Sequence, residues 1–400
     1  MARQWVCSAL VAAMIAATAQ ARAADDIPQW PNIADDGVQW PRLSASEAPF
    51  PTDPARPALL DVVPDRLRNI HNPNFDLGVR GGVARDAGSS DVTGSTARWP
   101  DLSWEAPASP WAFEGGLRYW YSEGTMRFAF TNRHPLFGTP TSTLDWQELT
   151  GHSGEVFARI DHKPSGVFFK GVLGLGMMHG GLIDDRDFFV GPVLFSDTTS
   201  EVKDGNLAFG SADVGWTYSP SRDLRFGFFV GYQFWREKTT AYGLVCNPTD
   251  ISPPLCPAGE VVVNPSTAVG IYEPTWHAAR IGVESRFTFN ERWAVNLEIA
   301  AVPYAVLQNK DSHLLRQDPA DLGPAPNIIA DGTYGYGIQG EVFASYALTP
   351  NLEIGAGVRA WSLTSRTGHV FFGPSFAGGY PLDRFEQLRF GGLLQIKGRF

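Results

Sequence analysis

The 400-residue chain has little cysteine, three residues, and little methionine, five. It is also short of positive charge: 32 Lys and Arg stand against 42 Asp and Glu, for a formal charge of −10. Phosphate binding rewards clustered Lys and Arg, so this balance argues against a nucleic-acid partner. Long apolar runs are scarce too. Beyond Val6 to Ala19, no segment offers the ~18 continuous apolar residues that a membrane helix needs, which leaves a soluble protein or a barrel. Neither a zinc-binding His-Glu-x-x-His nor a nucleophilic-serine signature occurs.

What is present begins with residues 1–23, where Arg3, an apolar run and Ala21-Arg22-Ala23 read as a secretory signal peptide. Its removal leaves Cys246 and Cys256 in "LVCNPTDISPPLCPAG". In an oxidising compartment a disulfide closing this loop is expected, with two unpaired thiols as the alternative. Residues 24–107 carry Pro28, Pro31, Pro41, Pro49, Pro51, Pro54, Pro57 and Pro64 with little alternation, and read as an extended periplasmic segment or a lumen plug.

Alternation decides between soluble protein and barrel. In "LRFGFFVGYQFW", Leu224, Phe226, Phe228, Val230, Tyr232 and Phe234 share one face, and "LRFGGLLQIKGRF" repeats the period of two up to Phe400. Trp120, Tyr121, Trp216, Tyr218, Tyr232 and Trp235 lie near strand ends, as an aromatic girdle requires. A closing phenylalanine is similar to the C-terminal signal of bacterial outer-membrane barrels. Tight turns at 162–166, 219–223, 290–293 and 348–351 join five hairpins. An all-β, ten-stranded antiparallel transmembrane barrel over 108–400 follows, with strands near 111–130, 142–161, 166–180, 206–218, 224–241, 268–289, 292–309, 333–347, 351–366 and 386–400. Both termini are then periplasmic, and the long connections lie outside.

Two polar clusters reach the same outer rim. "GGLIDDRDFF" ends the third strand with Asp184, Asp185 and Asp187, and the seventh ends on Asp311-Ser312-His313. Residues two apart in an extended chain share a side, so Asp185 pairs with Asp187 and Asp311 with His313. Two carboxylates facing an Asp-His couple can orient a water: His313 is the general base, Asp311 fixes its tautomer, and the aspartate pair holds the water from the other side.

The stretches "GGLIDDRDF" and "NKDSH" resemble the two active-site signatures of the omptins, outer-membrane endoproteases in which an Asp-x-Asp pair faces an Asp-x-His pair. "STLDWQ", "GYQFWR" and "IYEPTWHAARIGV" support the resemblance, which covers about residues 108–400. It implies a bacterial outer-membrane endopeptidase that uses no metal or cofactor, faces the cell exterior and acts there on peptides or proteins. It also implies lipopolysaccharide as an activating lipid. Carried over, Asp185 and Asp187 hold the water, and Asp311 and His313 form the catalytic couple. Glu123 matches the first-strand glutamate that omptins use to bind a basic substrate residue. Asn309 stands where the second such carboxylate belongs. Of the lipid motif, Tyr232 and Arg236 remain, while Phe234 and Thr275 replace a glutamate and an arginine.

Strict alternation from Leu173 or from Trp293 puts all four catalytic candidates on the lipid face. Each strand therefore needs a one-residue slip, at Gly180-Gly181 and at Pro303, or the wall rises beyond the bilayer. The rival reading is a non-catalytic barrel acting as adhesin or lipopolysaccharide-binding structural protein. A pore is the weaker third, because ten strands leave a narrow lumen.

Overall fold

The computed structural model describes residues 109–400 except 253, 255 and 256. The expected signal peptide, the Pro-rich extension and Cys256 lie outside the described residues.

Eleven strands form one antiparallel sheet: β1 Trp111–Phe130, β2 Phe137–His162, β3 Val167–Phe189, β4 Val193–Tyr218, β5 Leu224–Cys246, β6 Val261–Thr288, β7 Trp293–His313, β8 Ile328–Thr349, β9 Leu352–Ser365, β10 Thr367–Phe372 and β11 Tyr380–Arg399. Each pairs with its successor from β1 to β9, β9 pairs with β11, and β11 returns to β1. The short β10 continues the line of β9 past Arg366 and pairs with β8 and β11. The wall is thus the expected ring of ten, closed without a free edge.

The strands are longer than their alternation suggested, and they gain length at the outer end. β3 runs nine residues past Gly180, to Phe189, and joins β4 through residues 190–192 alone, where a long loop was expected. The bilayer explains the shortfall. On β3, Phe169, Leu173, Leu175 and Met177 are 53–73% exposed, and this nine-residue band matches the 9–11 residues of a tilted spanning strand. Above it the outer face meets water, so pairing continues while the apolar signal stops.

Of the six girdle aromatics, Tyr121, Trp216, Tyr218 and Tyr232 face outward, but Trp120 and Trp235 are fully buried. Inward phase explains both: Trp120 lies between outward Tyr119 and Tyr121, and Trp235 between outward Phe234 and Arg236. Together with Phe209 and Trp361 they pack edge to face across the barrel, with ring centroids 5.0–5.7 Å apart.

Charged side chains bridge the remaining lumen. Arg359 of β9 pairs with Glu155 of β2 at 2.5 Å and Glu341 of β8 at 2.6 Å. Lys170 of β3 reaches Glu284 of β6 and Glu298 of β7 at 2.8 and 2.7 Å. Arg389 of β11 pairs with Glu237 of β5 at 2.5 Å. Charges of both signs from facing strands thus meet inside the barrel at several levels.

Candidate active site

Side-chain phase inverts once on each of the two strands that matter. On β3 the inward positions run through Gly174 and Met178 and then resume at Ile183, an odd step. The irregularity sits at 179–181 opposite Glu148 and Leu149, and Gly181 adopts φ +146°. A Cβ at Gly181 would come within 2.8 Å of Leu149 Cδ2, so a larger residue is excluded there by both space and dihedral. On β7 the inward series Ala300, Val302 resumes at Ala305, Leu307, Asn309 and Asp311. The step falls at Pro303-Tyr304, where proline has no N–H for the β8 ladder and pairing shifts between Val302 and Ala305.

These two slips turn Asp185, Asp187, Asp311 and His313 into the barrel. All four also lie beyond the exposed apolar band: Asp185 is eight residues past Met177 and Asp311 seven past Tyr304, on the order of 25 Å along a strand. The one-residue slips expected at Gly180-Gly181 and at Pro303 are therefore present. β3 and β7 stand on opposite sides of the ring, so the pairs face each other across its mouth.

His313 Nε2 lies 3.3 Å from Asp311 Oδ2. Asn327 clamps the histidine backbone: its Oδ1 accepts from His313 N–H at 2.8 Å, and its Nδ2 donates to His313 O at 3.1 Å. Tyr272, register partner of Asp311, sets its ring edge-on to the imidazole at 6.4 Å. Asp311 is only 3% exposed, and its Oδ1 has no hydrogen-bond partner. Across the mouth, Ser142 hydrogen-bonds Asp187.

The electrostatics are those of a crowded acidic site holding one imidazole. Burial, then the Asp187 charge, push Asp185 up to about 7. Burial raises Asp187 as well, partly offset by the Ser142 hydrogen bond and the His313 and Arg316 charges. Burial disfavours the imidazolium of His313, but the charge and hydrogen bond of Asp311, with the Asp185 charge, outweigh it and hold the group at about 9. Burial and the charges of Asp311 and Asp185 keep Tyr272 a neutral phenol. The resting site near neutral pH thus carries an imidazolium beside Asp311 and a partly protonated aspartate pair.

The other expected residues divide. Asp184 and Arg186 point outward, where Arg186 lies 3.4–3.7 Å from Asp145, Asp184 and Asp197. Glu123 is a correction: it lies between inward Ser122 and Gly124 on the outer face, so it cannot line the mouth as a substrate carboxylate. His179 and His277 also face outward, away from the site. Tyr232 and Arg236 share the outer face of β5, with Tyr232 Oη 2.5 Å from His277 Nδ1 and Arg236 Nη2 3.0 Å from Glu273. Arg236 Nε is buried without a partner. Cys246 is disulfide-bonded; Cys256 is outside the described residues. Among the described residues no cluster of three His, Cys, Asp or Glu could hold a metal.

Sequence reasoning missed Tyr272, Asn327, Ser142 and Arg316. Tyr272 was within reach, because it falls in "IYEPTWH" and opposes Asp311 if the sixth and seventh strands pair. Asn327 follows a long connection and gave no signal.

No protein-family model and no curated protein matches the chain. Among solved structures it is similar to the outer membrane protease OmpT from Escherichia coli, with TM-score 0.59 and 15% identity, over 72% of this chain and 97% of that one. The P. putida toluene transporter TodX matches at TM-score 0.25 and 9% identity, over 74% and 91%, a likeness too slight to bear on the fold. The chain has the fold of an outer-membrane β-barrel, and specifically that of OmpT.

Proposed function

We propose that the protein is an endopeptidase of the bacterial outer membrane, secreted by way of residues 1–23, with its site open to the cell exterior and peptides or proteins as substrates. One observation carries the reading. Independent slips on β3 and β7 turn inward four residues that would otherwise point out of the barrel, on opposite walls of the ring. A barrel with no use for these groups has no reason to pay for two such irregularities.

In this reading a water sits between the aspartate pair and His313. Neutral His313 takes its proton as the oxygen attacks the peptide carbonyl, Asp311 stabilises the resulting imidazolium, and that proton then passes to the leaving amine. Asp185 and Asp187 hold the water from the far side by accepting its other hydrogen. The chemistry needs no metal or cofactor. Lipopolysaccharide is the expected activating lipid, and the Arg236 guanidinium, on the outer face with Tyr232 and 35% exposed, supports this, since such a group suits a phosphate. Glu273 already holds Nη2 of Arg236, so a lipid phosphate would share the guanidinium with it.

The competing reading, a lipopolysaccharide-binding structural barrel or adhesin, draws on that same outer face and leaves the inward quartet without a task. The test is cleavage-site mapping on a mixed peptide library by refolded protein in lipopolysaccharide-containing detergent, beside His313→Ala. Cleavage by wild type that is lost in the variant supports the endopeptidase. No cleavage by wild type refutes it.

A further inference from the structure

The end of the barrel remote from the candidate active site carries an unbalanced charge. Thr239 of β5 stands level with Tyr272, and so with Asp311. Arg225, the second residue of β5, sits on the order of 45 Å down the same strand, next to the turn at 219–223. Its neighbours Leu224 and Phe226 face outward, so the Arg225 side chain faces the interior. There it lines a cavity of about 150 Å³, shared with Arg159, Lys170, Glu284, Arg286 and Glu298, where roughly 10–15 Å³ would already admit a water.

Arg225 and Arg286 are register partners on β5 and β6, and both line the cavity. Opposed residues on one face of a sheet hold their Cβ atoms about 4.5–5.5 Å apart, a place where like charges repel. Arg286 is balanced: it donates to Glu353 Oε1 at 2.6 Å and to Asn296 Oδ1 at 3.0 Å. Arg225 makes no hydrogen bond and no ion pair, and among the described residues no other inward-facing Lys or Arg is left so.

Nor is a carboxylate available to it. The acids whose charges reach Arg225 are Glu114, Glu284 and Asp161, and each is committed to another cation. Lys397 and Arg399 hold the two oxygens of Glu114 at 3.2 and 3.1 Å. Arg159 and Lys170 hold those of Glu284 at 2.5 and 2.8 Å. Arg159 also forks onto Asp161, with Nε 2.8 Å from Oδ2 and Nη2 2.8 Å from Oδ1. A guanidinium with all its N–H donors free, beside a second guanidinium and facing a polar cavity, suits a tetrahedral oxyanion: two parallel N–H bonds meet two oxygens, and the negative charge offsets the repulsion from Arg286.

We infer that Arg225, beside Arg286, binds a free small oxyanion of the inorganic phosphate class inside the barrel, at a site separate from the quartet at the mouth. Because the side chain points away from the lipid-facing surface, the ligand is an ion in solution and not a lipid headgroup.

The test is calorimetric titration of the refolded full-length protein with sodium phosphate, in detergent free of lipopolysaccharide and at ionic strength held constant with chloride. The urea midpoint is read with and without phosphate. Wild type should bind phosphate and show a higher midpoint in its presence. Arg225→Gln should bind at least about tenfold more weakly, the scale of losing a charge-assisted hydrogen bond, and its midpoint should no longer respond. Arg225→Lys keeps the charge but loses the fork, and its affinity should fall between the two. Arg236→Ala, changed on the outer face, should bind phosphate as wild type does. Binding lost in Arg236→Ala but kept in the Arg225 variants would place the ion on the lipid-facing guanidinium and overturn the site. No phosphate binding by wild type, or equal binding by wild type and the Arg225 variants, overturns it as well.

Discussion

Replacing Asp311 by Asn removes a charge and keeps the shape, which makes the pH profile the sharpest reading of the couple. His313 is held at about 9 against an ordinary 6.5. At 1.36 kcal/mol per pKa unit, that displacement represents about 3 kcal/mol favouring the imidazolium. The folded pKa is raised, so the couple stabilises the fold fully below the ordinary histidine range, and this contribution is lost as pH rises through about 9. For catalysis the sign is opposite, because only neutral His313 accepts a proton. Near pH 7 about one copy in a hundred is neutral, so kcat/KM of wild type should climb about tenfold per pH unit between about 6 and 8 and level off near 9. In Asp311→Asn the burial that disfavours the imidazolium is no longer outweighed by a carboxylate. Its acid limb should fall to the ordinary histidine range or below, and its plateau should be about 10²-fold lower, the scale of losing the imidazolium's partner. The assay is kcat/KM on one quenched-fluorescence peptide from about pH 5 to about pH 10, with barrel integrity checked by heat-modifiable migration. A wild-type profile already flat between about 6 and 8, or the same limb in both proteins, would refute the couple.

Other outcomes follow from the same geometry. Asp185→Asn should stabilise the barrel against urea by up to a few kcal/mol near pH 8 and hardly at all near pH 4, because an acid raised to about 7 costs the fold stability progressively as pH rises from the ordinary carboxylate range, and in full above about 7; equal midpoints at both pH values would contradict the crowding. The same variant should lose peptide cleavage, whereas Asp184→Ala and Glu123→Gln, both on the outer face, should cleave at close to the wild-type rate. Glu237→Gln leaves Arg389 buried without a counter-charge and should lower stability by about 3–5 kcal/mol in urea unfolding. Arg236→Ala should reduce the gain in activity on adding lipopolysaccharide; an unchanged gain would show that this face does not bind the lipid.

The ring of ten was legible because lipid-facing alternation and tight turns are local patterns that no tertiary contact is needed to read. The catalytic candidates were legible only as a spacing. Asp185 and Asp187 lie on a strand, not on a loop, and nothing apolar marks that strand once its outer face meets water. The two slips were readable because Gly180-Gly181 and Pro303 interrupt hydrogen-bonded ladders by their own chemistry. Trp120 and Trp235 were misread because position near a strand end was taken for orientation, when phase decides it. Glu123 failed for the same reason, one residue out of step. Arg389 with Glu237 was out of reach altogether, since the partners lie 152 positions apart and meet only across the closed ring.

That last kind of contact bears on how the barrel is made. Arg389 finds Glu237 between β11 and β5, Arg359 finds Glu155 between β9 and β2, and Lys170 finds its two glutamates on β6 and β7. None of these pairs joins neighbouring strands; Arg359 and Glu298 also have partners on adjacent strands, Glu341 and Arg280, but Arg389–Glu237, Arg359–Glu155 and the two Lys170 pairs give hairpins nothing. A half-curled intermediate therefore carries these charges without their cross-barrel partners, and the meeting of β1 with β11 completes the set. Assembly is therefore biased towards a single concerted closure, and a mutation in one pair should penalise the last step of insertion more than any hairpin that precedes it.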